Sequence, residues 1–96
     1  MLFMSHYTTH PEYRHSNLQA FAKMPAGDEA GDGGDGLRLV GRWHGLDGRT
    51  GVAIFESDDP KTIALWSIAW ATTMDITVTP VVGDEAVKAI GAALGR

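Results

Sequence analysis

Residues 37–57, LRLVGRWHGLDGRTGVAIFES, constrain the fold of this chain more than any other stretch. Two runs of strand-forming residues flank the dipeptide Asp47-Gly48. A dipeptide of this kind between apolar runs is a strong hairpin signal, because both central residues of a type I′ turn need positive φ. A tight turn there sets Trp43 opposite Val52, Arg42 opposite Ala53 and Leu39 opposite Glu56. One face of the hairpin then carries Leu39, Gly41, Trp43, Val52, Ile54 and Glu56. The other carries Arg38, Val40, Arg42, His44, Ala53 and Phe55. Neither face is cleanly polar. A sheet apolar on both sides needs two covers, its own helices and a second subunit.

The rest of the chain supplies elements to complete that sheet. Residues 2–8 are apolar and aromatic and read as a first strand. Thr9-His10-Pro11-Glu12 matches a capping box, with Pro11 in a first turn where its missing N–H costs nothing. The pattern predicts a helix over 10–24, stopped before Pro25. At ~100° per residue, Leu18, Phe21, Ala22 and Met24 share one side of it, with Arg14 in the middle. Residues 26–36, AGDEAGDGGDG, have nothing to bury and read as a mobile loop. Their aspartates lack the spacing and the distal glutamate of a calcium loop.

Ser57-Asp58-Asp59-Pro60 opens a second helix, which should reach about residue 71. Ile63, Trp66, Ser67 and Trp70 form its inner stripe, while Leu65 and Ile68 point elsewhere. Residues 75–82, DITVTPVV, alternate as a last strand, and Pro80 assigns it to a sheet edge. Gly83-Asp84 then opens an amphipathic helix with Val87, Ile90 and Leu94 on one stripe and Gly95 as its stop. The order βαββαβ plus a C-terminal helix predicts one α+β domain over residues 1–96. Its expected form is a ferredoxin-like, antiparallel four-stranded sheet.

Bulk properties narrow the partners. A net charge of −4 argues against nucleic acid and against an anionic membrane surface. No apolar run approaches the ~18 residues of a membrane span. The first residues lack a basic n-region and a long apolar core, so they read as strand rather than signal peptide. The chain has no cysteine, which excludes disulfides and thiolate chemistry and fits a cytoplasmic address.

Several stretches together resemble a known family. They are Pro11-Glu12-Tyr13-Arg14, Gly41-Arg42-Trp43-His44-Gly45 with Asp47-Gly48, Phe55-Glu56-Ser57-Asp58-Asp59-Pro60, Trp66 with Trp70, and Val78-Thr79-Pro80-Val81. They resemble the small bacterial domains catalogued as domain of unknown function thirty-three-oh-three, over nearly the whole chain. The loop at 26–36 departs from the shorter, proline-bearing loop of that family. The resemblance implies the ferredoxin-like dimeric α/β-barrel superfamily, in which two sheets pack face to face in a homodimer and enclose a cavity. Superfamily relatives include small monooxygenases, muconolactone-isomerase-like enzymes and haem-binding chlorite dismutases. The family itself carries no activity to transfer.

A parallel course for the first and third strands gathers the candidate chemistry at two ends of the sheet. His6, Tyr7, Arg14, Glu56 and Asp58 fall at one end, where Arg14 and Glu56 are natural ion-pair partners. That pair reads either as a structural salt bridge or as a polar clamp and acid/base group with His6 nearby. Trp43, His44 and Trp70 fall at the other end, as core filling or as a pocket for a flat apolar ligand with His44 as proton acceptor. The catalytic candidates are therefore Glu56, Arg14, His6 and His44. The ligand-binding candidates are Trp43, His44, Trp70, Glu56, Arg14 and Tyr7.

The four histidines, His6, His10, His15 and His44, include no H-x-x-x-H pair on one helix, so no metal is expected. A haem would have to use His6 as its axial ligand. No tightly held cofactor is expected, and neither a phosphate loop nor a nucleophile elbow is present. These readings lead to a homodimeric barrel that binds a small organic molecule in a sheet-lined cavity, with or without converting it. The alternative is a structural or interaction module without activity.

Overall fold

In the computed structural model, which describes residues 1–24 and 36–95, the strand-forming runs make one antiparallel sheet of four strands. The strands are β1 (Leu2–Thr9), β2 (Arg38–His44), β3 (Thr50–Glu56) and β4 (Met74–Val81), in the order β2-β3-β1-β4. A single 3₁₀ turn, Pro11–Tyr13, runs into α1 (Arg14–Ala22); α2 (Pro60–Trp70) and α3 (Asp84–Leu94) complete the chain. The expected mobile loop falls on residues 26–35, which lie outside the described residues, apart from Gly36.

Alternation along the two central strands builds the core. Phe3, Ser5, Tyr7 and Thr9 of β1 are buried, as are Gly51, Ala53 and Phe55 of β3. Against this face α2 lays Ile63 and Trp66, one helical turn apart on the inner stripe. The Phe55 and Trp66 rings lie 4.8 Å apart, tilted by 57°. Burying an aromatic of this size contributes ~1.5–3 kcal/mol. The start of α2 follows its sequence: Asp59 Oδ1 accepts the Lys61 N–H at 3.0 Å, and Ser57 and Thr62 share a 2.6 Å hydroxyl bond. The first of these satisfies a backbone N–H that a helix start leaves open.

The hairpin keeps the predicted register near its turn, with Trp43 opposite Val52 and Arg42 opposite Ala53. Its turn is different. The strands stop at His44 and Thr50, and Gly48 has φ 73°, whereas no non-glycine residue among those described has positive φ. Asp47 therefore serves as an acceptor rather than as a left-handed residue. Its Oδ1 takes the N–H of Arg49 at 2.9 Å, the N–H of Thr50 at 3.1 Å and the Thr50 hydroxyl at 3.0 Å. Farther out, a bulge at Val40 sets Leu39 opposite Phe55 instead of Glu56. The extra residue turns Leu39 onto the core face.

Other expectations are corrected. The capping box does not form: Thr9 is the buried last residue of β1, and its N–H bonds the Arg49 carbonyl at 2.6 Å. The helix proper begins at Arg14 and buries no residue. β1 and β3 run antiparallel, not parallel, with Leu2 opposite Glu56 and Thr8 opposite Thr50. α1 and α2 consequently begin at opposite ends of the sheet.

The sheet also does not close into the ferredoxin-like dimeric α/β barrel that the resemblance implies. It is an open sheet whose two edges, β2 and β4, are not joined to one another. The face expected to lie against a second subunit is partly exposed among the described residues. On it Leu2, Met4, Val52 and Ile54 are half-buried and Trp43 is 61% exposed. Helix α3 is equally uncovered, with Val87, Ile90 and Leu94 all exposed.

Two outcomes test this packing. A methyl group on Gly51 would overlap the Tyr7 phenol ring. Gly51→Ala should therefore destabilise the protein by ~1–3 kcal/mol in urea denaturation, the usual cost of overpacking. Because α3 buries nothing, its amides should exchange at least roughly a hundredfold faster than those of β1 when followed by hydrogen-exchange mass spectrometry.

Candidate functional site

The antiparallel course of β1 and β3 places three residues on one rung of the sheet. Tyr7 of β1 pairs with Gly51 of β3, and Gly51 pairs with His44 of β2. All three face the helices. Gly51 has no side chain, so the Tyr7 phenol leans across it and meets His44, with Oη 3.1 Å from Nδ1. Any other residue at 51 would fill the gap through which the two side chains touch.

Helix α1 covers this pair from above. The Phe21 ring meets His44 edge-on at 4.9 Å between centroids, and the Arg42 guanidinium carbon sits 5.3 Å from the centre of the same ring. Leu18 reaches over Gly48 in the β2–β3 turn, and Asn17 donates to the Thr73 hydroxyl at 3.0 Å beyond the end of α2. Trp66 and Trp70, one turn apart on α2, supply a further wall. Together these groups enclose a cavity of about 130 Å³ that is partly open to solvent. Its lining is mostly apolar, and no carboxylate lines it among the described residues.

Both members of the pair are held neutral. Burial pushes the Tyr7 phenol up from its ordinary value, against a smaller downward pull from Arg42. His44 is exposed as a residue, but its ring edge lies under Phe21, and this covering, followed by the Arg42 charge, lowers its imidazole below the usual value. Two hydrogen arrangements follow. Either Tyr7 donates to Nδ1 and Nε2 keeps its proton, or Nδ1–H donates to Tyr7 and Nε2 is a bare base. Exchange between them moves the imidazole proton from one ring nitrogen to the other, while the phenol keeps its own and turns from donor to acceptor.

The other candidates are scattered. Arg14 and Glu56 do not meet. Arg14 lies on α1 beside the β2–β3 turn, whereas Glu56 is at the far end of β3, the length of β1 away, or ~23 Å. Glu56 instead accepts from the N-terminal ammonium of Met1 at 3.1 Å, in an exposed pair. It borders two larger but shallower depressions, one of them with its neighbour Asp58. His6 is exposed on the partly exposed face, on the rung of Trp43 and Val52. Trp43 and His44 are consecutive in a strand and point to opposite faces, so only His44 joins Trp70. His10 pairs with Asp75 at 3.1 Å. Among the described residues no three histidine or acidic side chains converge as metal ligands.

Arg42 and Trp66 line the cavity although neither was among the catalytic or ligand-binding candidates. Their signals were present: Arg42 is two residues from His44 and so on its face, and Trp66 is four from Trp70. Among the described residues no helix is long and apolar enough to cross a membrane.

Residues 1–95 match the family model described as Domain of unknown function (DUF3303), and the chain belongs to that family. No curated protein matches it. Among solved structures, it is similar to an uncharacterized NIPSNAP domain protein from Burkholderia xenovorans at 14% identity. That match covers 88% of this chain and 97% of the other, with a TM-score of 0.47. The wider placement in a dimeric barrel superfamily does not hold, because the sheet is open.

The depressed imidazole makes a signed prediction. In the folded chain His44 binds its proton less readily than in the unfolded chain, so the unfolded state takes up more protons as pH falls. This contribution to stability is complete above the ordinary histidine value of 6.5 and is lost as pH drops through it towards the lower folded value. NMR titration should place the His44 midpoint below the ordinary histidine value of 6.5, and His44→Phe should flatten the fall in stability between about pH 7 and 5.

Proposed function

We propose that this chain binds a small, single-ring, largely apolar molecule in the cavity between α1, α2 and the β2–β3 turn. Tyr7 and His44 form its polar end. The observation that carries this reading is the Tyr7–His44 bond on the wall of an aromatic-lined cavity. An apolar pocket with a few convergent polar groups is the usual form of a small-molecule site. Its volume of about 130 Å³ sets the size of the guest. A dry cavity of ~150 Å³ accepts benzene, and drug-sized ligands need ~300 Å³ or more.

This site lies between the sheet and its own helices, so it needs neither a second subunit nor a closed barrel. Its chemistry is proton transfer: with Nδ1–H donated to the Tyr7 oxygen, the bare Nε2 of His44 can take one proton from a bound group, and Tyr7 keeps its own proton while accepting from the imidazolium formed. Arg14 and Leu18 sit at the rim beside Gly48, and Trp70 lies against the ring of the guest. A cytoplasmic address suits a chain with no cysteine.

Ligand-observed NMR with a panel of benzene, toluene, phenol and cyclohexane tests the reading. The aromatic members should bind with dissociation constants on the order of 0.1–1 mM, given the modest energy each heavy atom supplies. Leu18→Trp should fill the cavity from α1 and abolish that binding while leaving the thermal midpoint within a few degrees. Binding that survives Leu18→Trp unchanged, or no binding by any ring at ~10 mM, contradicts the proposal.

A further inference from the structure

A buried hydroxyl in the cavity wall has no use within the described chain. Thr9, the last residue of β1, lines the cavity and is only 4% exposed. Its backbone is committed to the β2–β3 turn: the N–H bonds the Arg49 carbonyl at 2.6 Å, and the carbonyl accepts from Arg49 Nε at 3.0 Å. Its hydroxyl has no hydrogen-bond partner among the described residues. Three other polar side chains of the lining are engaged. Tyr7 meets His44 Nδ1, the Asn17 amide donates to the Thr73 hydroxyl, and the Thr50 hydroxyl donates to Asp47. A buried hydroxyl left unpaired is costly, and valine has the same β-branched shape without that cost. A threonine at this place therefore calls for a partner from outside the chain. Thr9 follows Tyr7 on the same face of β1, ~7 Å farther along the strand. Across Gly51, the Tyr7 bond occupies Nδ1 of His44 and leaves Nε2 for a guest.

From this arrangement we infer that the guest is a one-ring phenol, whose hydroxyl accepts from Thr9 Oγ1 and donates to His44 Nε2. The inference rests on the binding reading above and adds the functional group of the ligand, with Thr9 as the residue that selects it. The aromatic ring lies among Phe21, Trp66 and Trp70. A hydroxyl suits both partners because it donates and accepts at once, whereas an ether or carbonyl oxygen can only accept. With Nδ1–H turned to the Tyr7 oxygen, Nε2 is the acceptor that the guest's proton needs. The lowered imidazole agrees, since it keeps that nitrogen unprotonated at neutral pH.

Isothermal titration of the full chain with phenol, toluene and anisole tests the inference before any variant is made. A wall without polar partners would favour toluene, because it would bury the phenol hydroxyl unpaired. Phenol should instead bind at least about fivefold more tightly than toluene, and than anisole, whose oxygen has no proton to give. Thr9→Val keeps the shape of the side chain and removes its hydroxyl. It should reduce the preference for phenol over toluene below about twofold and leave toluene affinity unchanged. Its thermal midpoint should stay level or rise, since no bond within the chain is lost. Thr9→Ser, which keeps the hydroxyl, should retain the preference. Phenol binding no tighter than toluene overturns the inference and leaves the binding reading standing. Anisole binding as tightly as phenol overturns the donation to His44. A preference untouched by Thr9→Val, or a midpoint lowered by it, overturns the assignment to Thr9. Failure of every ring to bind overturns both readings.

Discussion

One rung of the sheet governs the arrangement of the candidate site in this chain. Tyr7, Gly51 and His44 lie side by side across three strands, and the missing side chain of Gly51 lets the outer two touch. The contact exists only because β1 runs antiparallel to β3. That direction also sends the chain from Thr9 into α1 on the side of the β2–β3 turn, where Phe21 and Leu18 roof the pair. Thr9 and Arg49 fasten the same corner twice: the Thr9 N–H bonds the Arg49 carbonyl, and Arg49 Nε bonds the Thr9 carbonyl. The site is thus built at the junction of a central strand, a tight turn and a lightly packed helix.

The helices contribute unequally. α2 carries the core, since Ile63 and Trp66 meet Phe55 and its neighbours on the sheet. α1 buries no residue and holds to the sheet through side chains that line the cavity. A helix packed over a partly filled space is stabilised less than one packed over a filled core, because dispersion contacts are lost wherever an atom faces a void. Filling that space with a guest would complete the packing of α1, so binding and the local stability of α1 are linked. On the other side of the sheet the half-buried apolar residues around Trp43 remain outside this scheme, as does the uncovered stripe of α3.

Much of the architecture was legible because local signals acted alone. Asp59-Pro60 starts a helix whatever surrounds it, and the alternation in residues 50–56 admits one buried face. The pairing of Trp43 with Val52 followed from the turn position, although the turn itself is held by the Asp47 carboxylate rather than by two left-handed residues. The bulge at Val40 was not legible, since nothing in LRLVG marks the extra residue. Strand direction was legible in principle and misread. A right-handed crossover makes β1 parallel to β2, and the hairpin makes β3 antiparallel to β2, so β3 must oppose β1. That error separated Tyr7 from His44 and joined Arg14 to Glu56 on paper. Barrel closure was drawn from the two apolar faces of the hairpin together with the resemblance, and the open order of the strands overturns it.

The central claim is that Tyr7 and His44 interact directly across Gly51. A double-mutant cycle on folding stability with Tyr7→Phe, His44→Leu and the double variant measures this interaction most directly. A coupling of ~0.5–1.5 kcal/mol at pH 7.5 is predicted for the shared hydrogen bond. Additive effects, with coupling below ~0.3 kcal/mol, would contradict the account and dissolve the site built on that rung.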